Sequence, residues 1–128
     1  MNILGVIPAR GGSKGVPRKN LLKIGNKTLI QRAIESANKS KMITRIIFSS
    51  DDDELIEEAR KFNVEIPFKR PKELAQDRSS TFSVVKHLLE WLKAEQNWQP
   101  EIIVILQPTT PFRKAAHIDD TINLLLNT

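Results

Sequence analysis

The sequence predicts a layered α/β fold built on a mainly parallel sheet, and three observations carry that prediction. Apolar, β-branched runs recur at Ile3-Leu4-Gly5-Val6-Ile7-Pro8-Ala9, Arg45-Ile46-Ile47-Phe48-Ser49-Ser50 and Pro100-Glu101-Ile102-Ile103-Val104-Ile105-Leu106-Gln107. The segments between them return their apolar residues at helical spacing, and strands that alternate with helices feed a parallel sheet. The first and last runs each open into a polar loop, the place where open parallel sheets hold ligands.

The first run is a buried strand without charge. It ends in Arg10-Gly11-Gly12-Ser13-Lys14-Gly15-Val16-Pro17-Arg18-Lys19-Asn20, a glycine-rich turn with four cations. Glycines let the backbone approach a ligand closely, so that several N–H groups can face one anion. Arg10, Lys14, Arg18 and Lys19 supply countercharge, and Ser13 a neutral donor. A phosphate chain is the ligand that such a loop suits. The loop matches neither common phosphate signature: no Lys-Ser or Lys-Thr pair closes the glycines, and Val16-Pro17 stops a helix from starting at once. The run Asn20-Leu21-Leu22-Lys23-Ile24-Gly25-Asn26-Lys27 then leads through a turn back towards the core.

Thr28 is placed to cap a helix with apolar positions at Leu29, Ile30, Ala33, Ile34 and Ala37. After the second strand, Asp51-Asp52-Asp53-Glu54 stand at a helix start, where unpaired backbone N–H groups favour acidic side chains. Adjacent carboxylates do not share a helical face, so capping is the better reading than a metal site. Val64-Glu65-Ile66-Pro67-Phe68 is a short extended piece, demoted from a central strand by its proline. Residues 69–80 read as a ligand-facing loop. Residues 81–97 form a helix whose buried side is Phe82, Val85, Leu88, Leu89 and Leu92, with Trp91 off that stripe and Trp98 in the turn beyond.

The run ending at Gln107 is the strongest buried-strand signal in the chain. It opens into Pro108-Thr109-Thr110-Pro111-Phe112-Arg113, at the same end of the sheet as the basic loop, so Gln107, Thr109, Thr110 and Arg113 are candidate polar contacts. A last helix is expected in the run 115–126, starting near His117 and running almost to Thr128. The sheet expects another neighbour for its last strand, so the chain reads as a domain interrupted at its C-terminal side. His87 and His117 have no companions at metal-ligand spacing.

At 128 residues, 40% hydrophobic and 27% charged, the chain can bury one core. It has no cysteine, which excludes disulfides and thiolate chemistry. No stretch reaches the length of a membrane span and no leader pattern opens the chain, so a cytoplasmic location is expected. The net charge of +5 suits a small polyanionic ligand; without tyrosine and with 5% aromatics, stacking of single-stranded nucleic acid has little to use.

Taken together, residues 7–20, Arg70-Pro71 with Leu74-Ala75 and Asp77, and Leu106-Gln107-Pro108-Thr109-Thr110-Pro111-Phe112-Arg113 resemble the acylneuraminate cytidylyltransferases, the CMP-sialic acid synthetase family. The related cytidylyltransferases for the sugar Kdo usually lack the paired glycines and the Arg-Lys-Asn ending found here. The resemblance implies a Rossmann-like three-layer α/β/α fold of the nucleotide-diphospho-sugar transferase type, of which residues 1–128 are the nucleotide-binding portion. It implies transfer of CMP from CTP to the anomeric hydroxyl of a nine-carbon 2-keto sugar acid, with release of pyrophosphate and with Mg2+ as cofactor.

By the same resemblance, Arg10 and Lys19 are the catalytic cations nearest the phosphates. Ala9, Gly11, Gly12, Ser13, Lys14, Arg18 and Asn20 complete the nucleotide loop, and Arg70 and Ser80 read the cytosine. Gln107, Thr109, Thr110 and Arg113 line the sugar pocket, while Asp77 shapes its own loop. Metal ligands and the dimerisation element are expected beyond residue 128, so the intact protein is expected to be a homodimer and this chain to turn over little by itself. The implied partners are CTP and a sugar acid, with neither nucleic acid nor membrane. Thr110 and Phe112 replace the Ser and Leu more common in the family and leave the sugar open among sialic, legionaminic, pseudaminic and similar acids. Two other readings stay open: a nucleotidyltransferase of another base or sugar, and a noncatalytic nucleotide-binding remnant.

Overall fold

The computed structural model describes residues 1–9, 23–69, 81–108 and 115–127. In chain order its elements are β1 (Ile3–Ala9), β2 (Lys23–Ile24), β3 (Lys27–Thr28), α1 (Leu29–Lys39), β4 (Arg45–Ser50), α2 (Asp53–Arg60), α3 (Thr81–Gln96), β5 (Ile102–Ile105) and α4 (Ala115–Leu126). The main sheet has the order β4-β1-β5 and is parallel throughout, with Val6 opposite both Ile47 and Ile105. β2 and β3 form a separate antiparallel hairpin.

Period-two alternation in β1 sorts the core into two layers. Ile3, Ile7 and Ala9 face one side with Phe48, where Ile30, Ala33 and Ile34 of α1, Leu55, Ile56 and Ala59 of α2, and Ile118 and Ile122 of α4 cover them. Leu4 and Val6 face the other side with Ile47, under Leu88 and Leu92 of α3. All seven β1 residues are buried, which explains a strand sequence without a charge. Each fully buried aliphatic side chain in these layers contributes roughly 2 kcal/mol of transfer free energy. Three layers, helix on sheet on helix, is the architecture that the family resemblance implies, and the parallel sheet is the one that the alternating pattern predicts.

Caps fix where the helices begin. The Thr28 hydroxyl accepts from the Gln31 N–H at 3.0 Å, and the Asp52 carboxylate accepts from the Glu54 and Leu55 N–H groups at 2.9 and 3.1 Å. The acidic run after β4 therefore does the capping expected of it. α3 ends at Asn97, which takes the left-handed conformation at φ 49°.

Two expectations change, and the short, non-central piece 64–68 is as expected. The run 100–107 is less buried than its apolar sequence predicts: among the described residues Ile102–Ile105 pair with β1 on one side, as expected of a last strand that wants another neighbour, and Ile105 is 41% exposed at the sheet margin. The extended piece 64–68 contributes a single parallel bridge, Ile47 to Glu65, held by Phe48 N–H to Glu65 C=O at 2.9 Å. On α3 the buried face carries Val84, Val85, Leu88 and Leu92, with Trp91 packed beside them, whereas Phe82 is 73% exposed.

Candidate functional site at the carboxyl edge of the sheet

Parallel pairing puts the carboxyl ends of β1, β4 and β5 on one edge. Ala9 lies opposite Ser50, and the Leu106 N–H extends the β5 ladder by bonding the Val6 carbonyl at 2.8 Å. Half-buried Gln107 follows at once, beside the same end of β1. Ser49 and Ser50 are buried polar residues at this edge, 3% and 0% exposed, and the Ser50 hydroxyl accepts from the Asp52 N–H at 3.1 Å. Small polar residues at a strand end are the only trace of them in the sequence.

The helices reach the same edge. The far end of α3 lies at the amino end of the sheet, because Arg45 at the start of β4 donates to Gln96 at 2.7 Å and stacks over the Trp98 ring at 4.7 Å. A sixteen-residue helix is about 24 Å long, so its first turn at Thr81 lies towards the carboxyl ends of the strands. α1 likewise runs back to the amino end, where the Thr44 N–H bonds the Ile3 carbonyl at 2.9 Å; its Thr28 cap, and the hairpin before it, therefore lie towards the carboxyl edge.

Of the site residues expected from the sequence, Ala9 and Gln107 are described, and they share this edge. Arg10, Gly11, Gly12, Ser13, Lys14, Arg18, Lys19, Asn20, Arg70, Asp77, Ser80, Thr109, Thr110 and Arg113 lie outside the described residues. Their points of attachment are informative all the same. Residues 10–22 leave the sheet at Ala9, residues 70–80 lead into the first turn of α3, and residues 109–114 follow Pro108. All three segments are tethered to one edge.

The hairpin that receives the chain after residue 22 is tightly bound to its surroundings. Gly25, at φ 72°, takes the first central position of its two-residue turn, where a side chain would be strained. The Thr28 hydroxyl also donates to Glu58 of α2 at 2.6 Å, Lys27 pairs with Glu35 at 2.8 Å, and Lys61 pairs with Glu58 at 2.9 Å. Burial pushes the Glu58 carboxyl up, yet the hydrogen bonds from Thr28 and Lys61, with the charges of Lys61 and Lys23, hold it below its ordinary value. Sequence reading found the Thr28 cap but not its link to Glu58, thirty positions away.

Among the described residues no group of three His, Cys, Asp or Glu side chains is placed to hold a metal ion. His87 meets the Phe68 ring edge-on at 5.2 Å, and His117 is exposed. No helix of the described residues is long and apolar enough to cross a membrane.

A family model described as cytidylyltransferase matches residues 4–128. The chain belongs to the cytidylyltransferase family. Among curated relatives, the pseudaminic acid cytidylyltransferase of Campylobacter jejuni serotype O:2 is 41% identical over 111 residues, covering 87% of this chain and 47% of the relative. The N-acylneuraminate cytidylyltransferase of Escherichia coli O18:K1:H7 is 35% identical over 122 residues, covering 95% of this chain and 28% of the relative. The CMP-N,N'-diacetyllegionaminic acid synthase of Legionella pneumophila is 35% identical over 125 residues, covering 97% and 53%. The chain thus spans about half the length of two of these relatives and 28% of the Escherichia coli protein.

The fold is that of the solved cytidylyltransferases. The structure of CMP:2-keto-3-deoxy-manno-octonic acid synthetase complexed with CTP superposes with a TM-score of 0.78 at 22% identity, covering 99% of this chain and 48% of that one. A cytidylyltransferase from Leptospira borgpetersenii gives a TM-score of 0.73 at 24% identity, covering 100% and 50%.

Proposed function

We propose that this chain is the nucleotide-binding half of a cytidylyltransferase that moves CMP from CTP to the anomeric hydroxyl of a nine-carbon, sialic-acid-like 2-keto sugar acid. The observation that carries the reading is the common carboxyl edge. Ala9, Ser50 and Gln107 meet there, and the glycine-rich basic segment is joined directly to Ala9. Relatives named for pseudaminic, legionaminic and N-acylneuraminic acids support the sugar class.

In the reaction, the sugar oxygen forms a bond to the α-phosphorus while the bond from that phosphorus to the bridging oxygen breaks and pyrophosphate departs. The hydroxyl proton passes to solvent or to a base. What the protein must supply is alignment and charge stabilisation. Arg10 and Lys19 are assigned to the phosphates, with Ala9, Gly11, Gly12, Ser13, Lys14, Arg18 and Asn20 around them. Arg70 and Ser80 are assigned to the base, and Gln107, Thr109, Thr110 and Arg113 to the sugar acid. Magnesium would neutralise the triphosphate when bound. The described residues offer it no carboxylate cluster, and the Asp52 side chain is engaged by α2, so no step is routed through the ion.

Titration calorimetry with CTP, UTP, ATP and GTP, with and without magnesium, tests the base. CTP is expected to bind most tightly, and Arg10→Ala or Lys19→Ala to weaken it about tenfold or more, the loss of one charge-assisted phosphate contact. Equal affinity for all four nucleotides would overturn the assignment. A CMP-transfer assay with pseudaminic, legionaminic and N-acetylneuraminic acids tests the reaction, with little turnover expected from these 128 residues alone; nucleotide binding without transfer by the intact protein would favour the noncatalytic reading.

A further inference from the structure

We propose that Pro8 and Pro108 are positioning residues that hold open the crevice between β1 and β5, so that the main-chain carbonyls of Leu106 and Pro8 accept hydrogen bonds from a hydroxyl or amino group of the nucleotide or the sugar acid. The inference rests on the functional reading above and deepens it.

β1 is the central strand, and its two ladders end at different heights. Against β4 it stays paired through Ala9 and Ser50; against β5 the pairing stops at Val6 and Ile105. Alternate residues of a strand turn their N–H and C=O groups to opposite neighbours. The Asn2 carbonyl accepts from the Glu101 N–H at 2.8 Å and the Val6 carbonyl from the Leu106 N–H at 2.8 Å, so the even-numbered residues of β1 turn towards β5. Pro8 is the next of that series. The rung after Val6 would need the N–H of residue 8 to reach the Leu106 carbonyl and the N–H of residue 108 to reach the Pro8 carbonyl. Both positions are proline, and neither has an N–H to give.

Proline is rare inside a central strand because it removes a ladder bond. Here each proline removes one of the two bonds of the same rung, so β1 and β5 part at that height while β1 and β4 do not. Leu106 is 1% exposed and both prolines are buried, so the carbonyls left without ladder donors lie largely out of water. Among the described residues no other donor reaches the Leu106 carbonyl. A buried carbonyl requires a partner. The place suits a substrate. With the strand order β4-β1-β5, α1 on one face and α3 on the other, the gap between β1 and β5 is where the connections diverge, and open parallel sheets take ligands there. Gln107 falls opposite Pro8 when the register is extended by two places. Phosphate and carboxylate oxygens only accept, so two carbonyls select a hydroxyl or amino group instead.

The test restores the missing N–H groups. Pro8→Ala, Pro108→Ala and the double variant are compared with the parent 128-residue chain by amide hydrogen exchange and by calorimetric titration of CTP and, separately, of N-acetylneuraminic acid. The new amides at positions 8 and 108 are expected to exchange about tenfold or more slowly than unprotected amides, while the amides of β1 and β4 keep their protection. The double variant is expected to bind one of the two ligands about tenfold more weakly, the loss of one or two hydrogen bonds, and the ligand affected is the source of the donor. A double variant that binds both ligands as the parent does overturns the proposal. So do new amides that exchange freely, or an affinity loss accompanied by loss of protection throughout the sheet. A parent chain that binds neither ligand overturns the functional reading instead, while the new amides still decide whether the prolines keep the rung open.

Discussion

Asp119 shows how one carboxylate can join two distant parts of the chain. From α4 it accepts hydrogen bonds from the Ser40 hydroxyl and from the Lys41 and Met42 N–H groups, and so closes the turn between α1 and β4. Burial pushes this carboxyl up, but the Ser40 hydroxyl and the two amides hold it below the ordinary value. A carboxyl lowered by folding adds stability that is fully present above its unfolded pKa and disappears as pH falls through its folded value. Asp119→Asn is therefore expected to melt below the parent at pH 7, by about 1 kcal/mol, and to converge with it in strong acid. Thermal unfolding at pH 7 and below pH 3 checks this; a gap of the same size at both would sink it. Gly25 makes a second test at this scale. Its φ of 72° is unfavourable for a side chain, and an added Cβ would lie 3.2 Å from the Arg32 guanidinium. Gly25→Ala is expected to cost about 1 kcal/mol in denaturant unfolding.

At the scale of elements, the sequence was most legible where a cap or a change of period marked a boundary. The strand Arg45–Ser50 and the Thr28 cap of α1 could be read directly, because charge or small polar residues bracket an apolar run. The face of α3 was harder. Successive residues turn by about 100°, so around Leu88 the side chains of Val85 and Trp91 lie about 60° to either side, while Phe82 lies about 120° away. Phe82 thus falls outside the stripe that meets the sheet, and Trp91, set aside on sequence grounds, falls within it and packs on Phe68 at 5.2 Å. Hydrophobicity ranked these two; rotation about the helix axis decided them. For the candidate site, chain order alone indicated that Ala9 and Gln107 share an edge, because parallel strands end together. The Thr28 to Glu58 link could not be read, because no local pattern relates residues on different elements.

For the whole molecule, the margin of the sheet matters most. β5 runs Ile-Ile-Val-Ile, without a charge, a proline or a bulge, the features that usually protect an edge from pairing with another chain. Beside it lies a groove of about 350 Å³ between Ile103–Leu106 and the α4 side chains Ile118, Ile122 and Leu125. Ile105, Leu124, Leu125 and Leu126 are exposed. Its uniformly apolar run read as a buried strand that still wanted another neighbour, and the exposure of Ile105 marks the side on which the described residues supply none. Ile105→Lys combined with Leu125→Lys is expected to reduce concentration-dependent association in sedimentation velocity; an unchanged profile would show that this margin is not the adhesive surface.

The position of β1 also bears on how the protein is made. Of the three paired strands, β1 leaves the ribosome first and is the one with two partners, which begin at Arg45 and Ile102. During synthesis β1 must therefore wait for some forty residues to gain its first neighbour and about a hundred to gain its second. Through that interval its uncharged flank is open to chaperones and to other nascent chains. Of the two pairings described, that of β1 with β5 therefore follows that of β1 with β4 in synthesis, whatever order the helices follow.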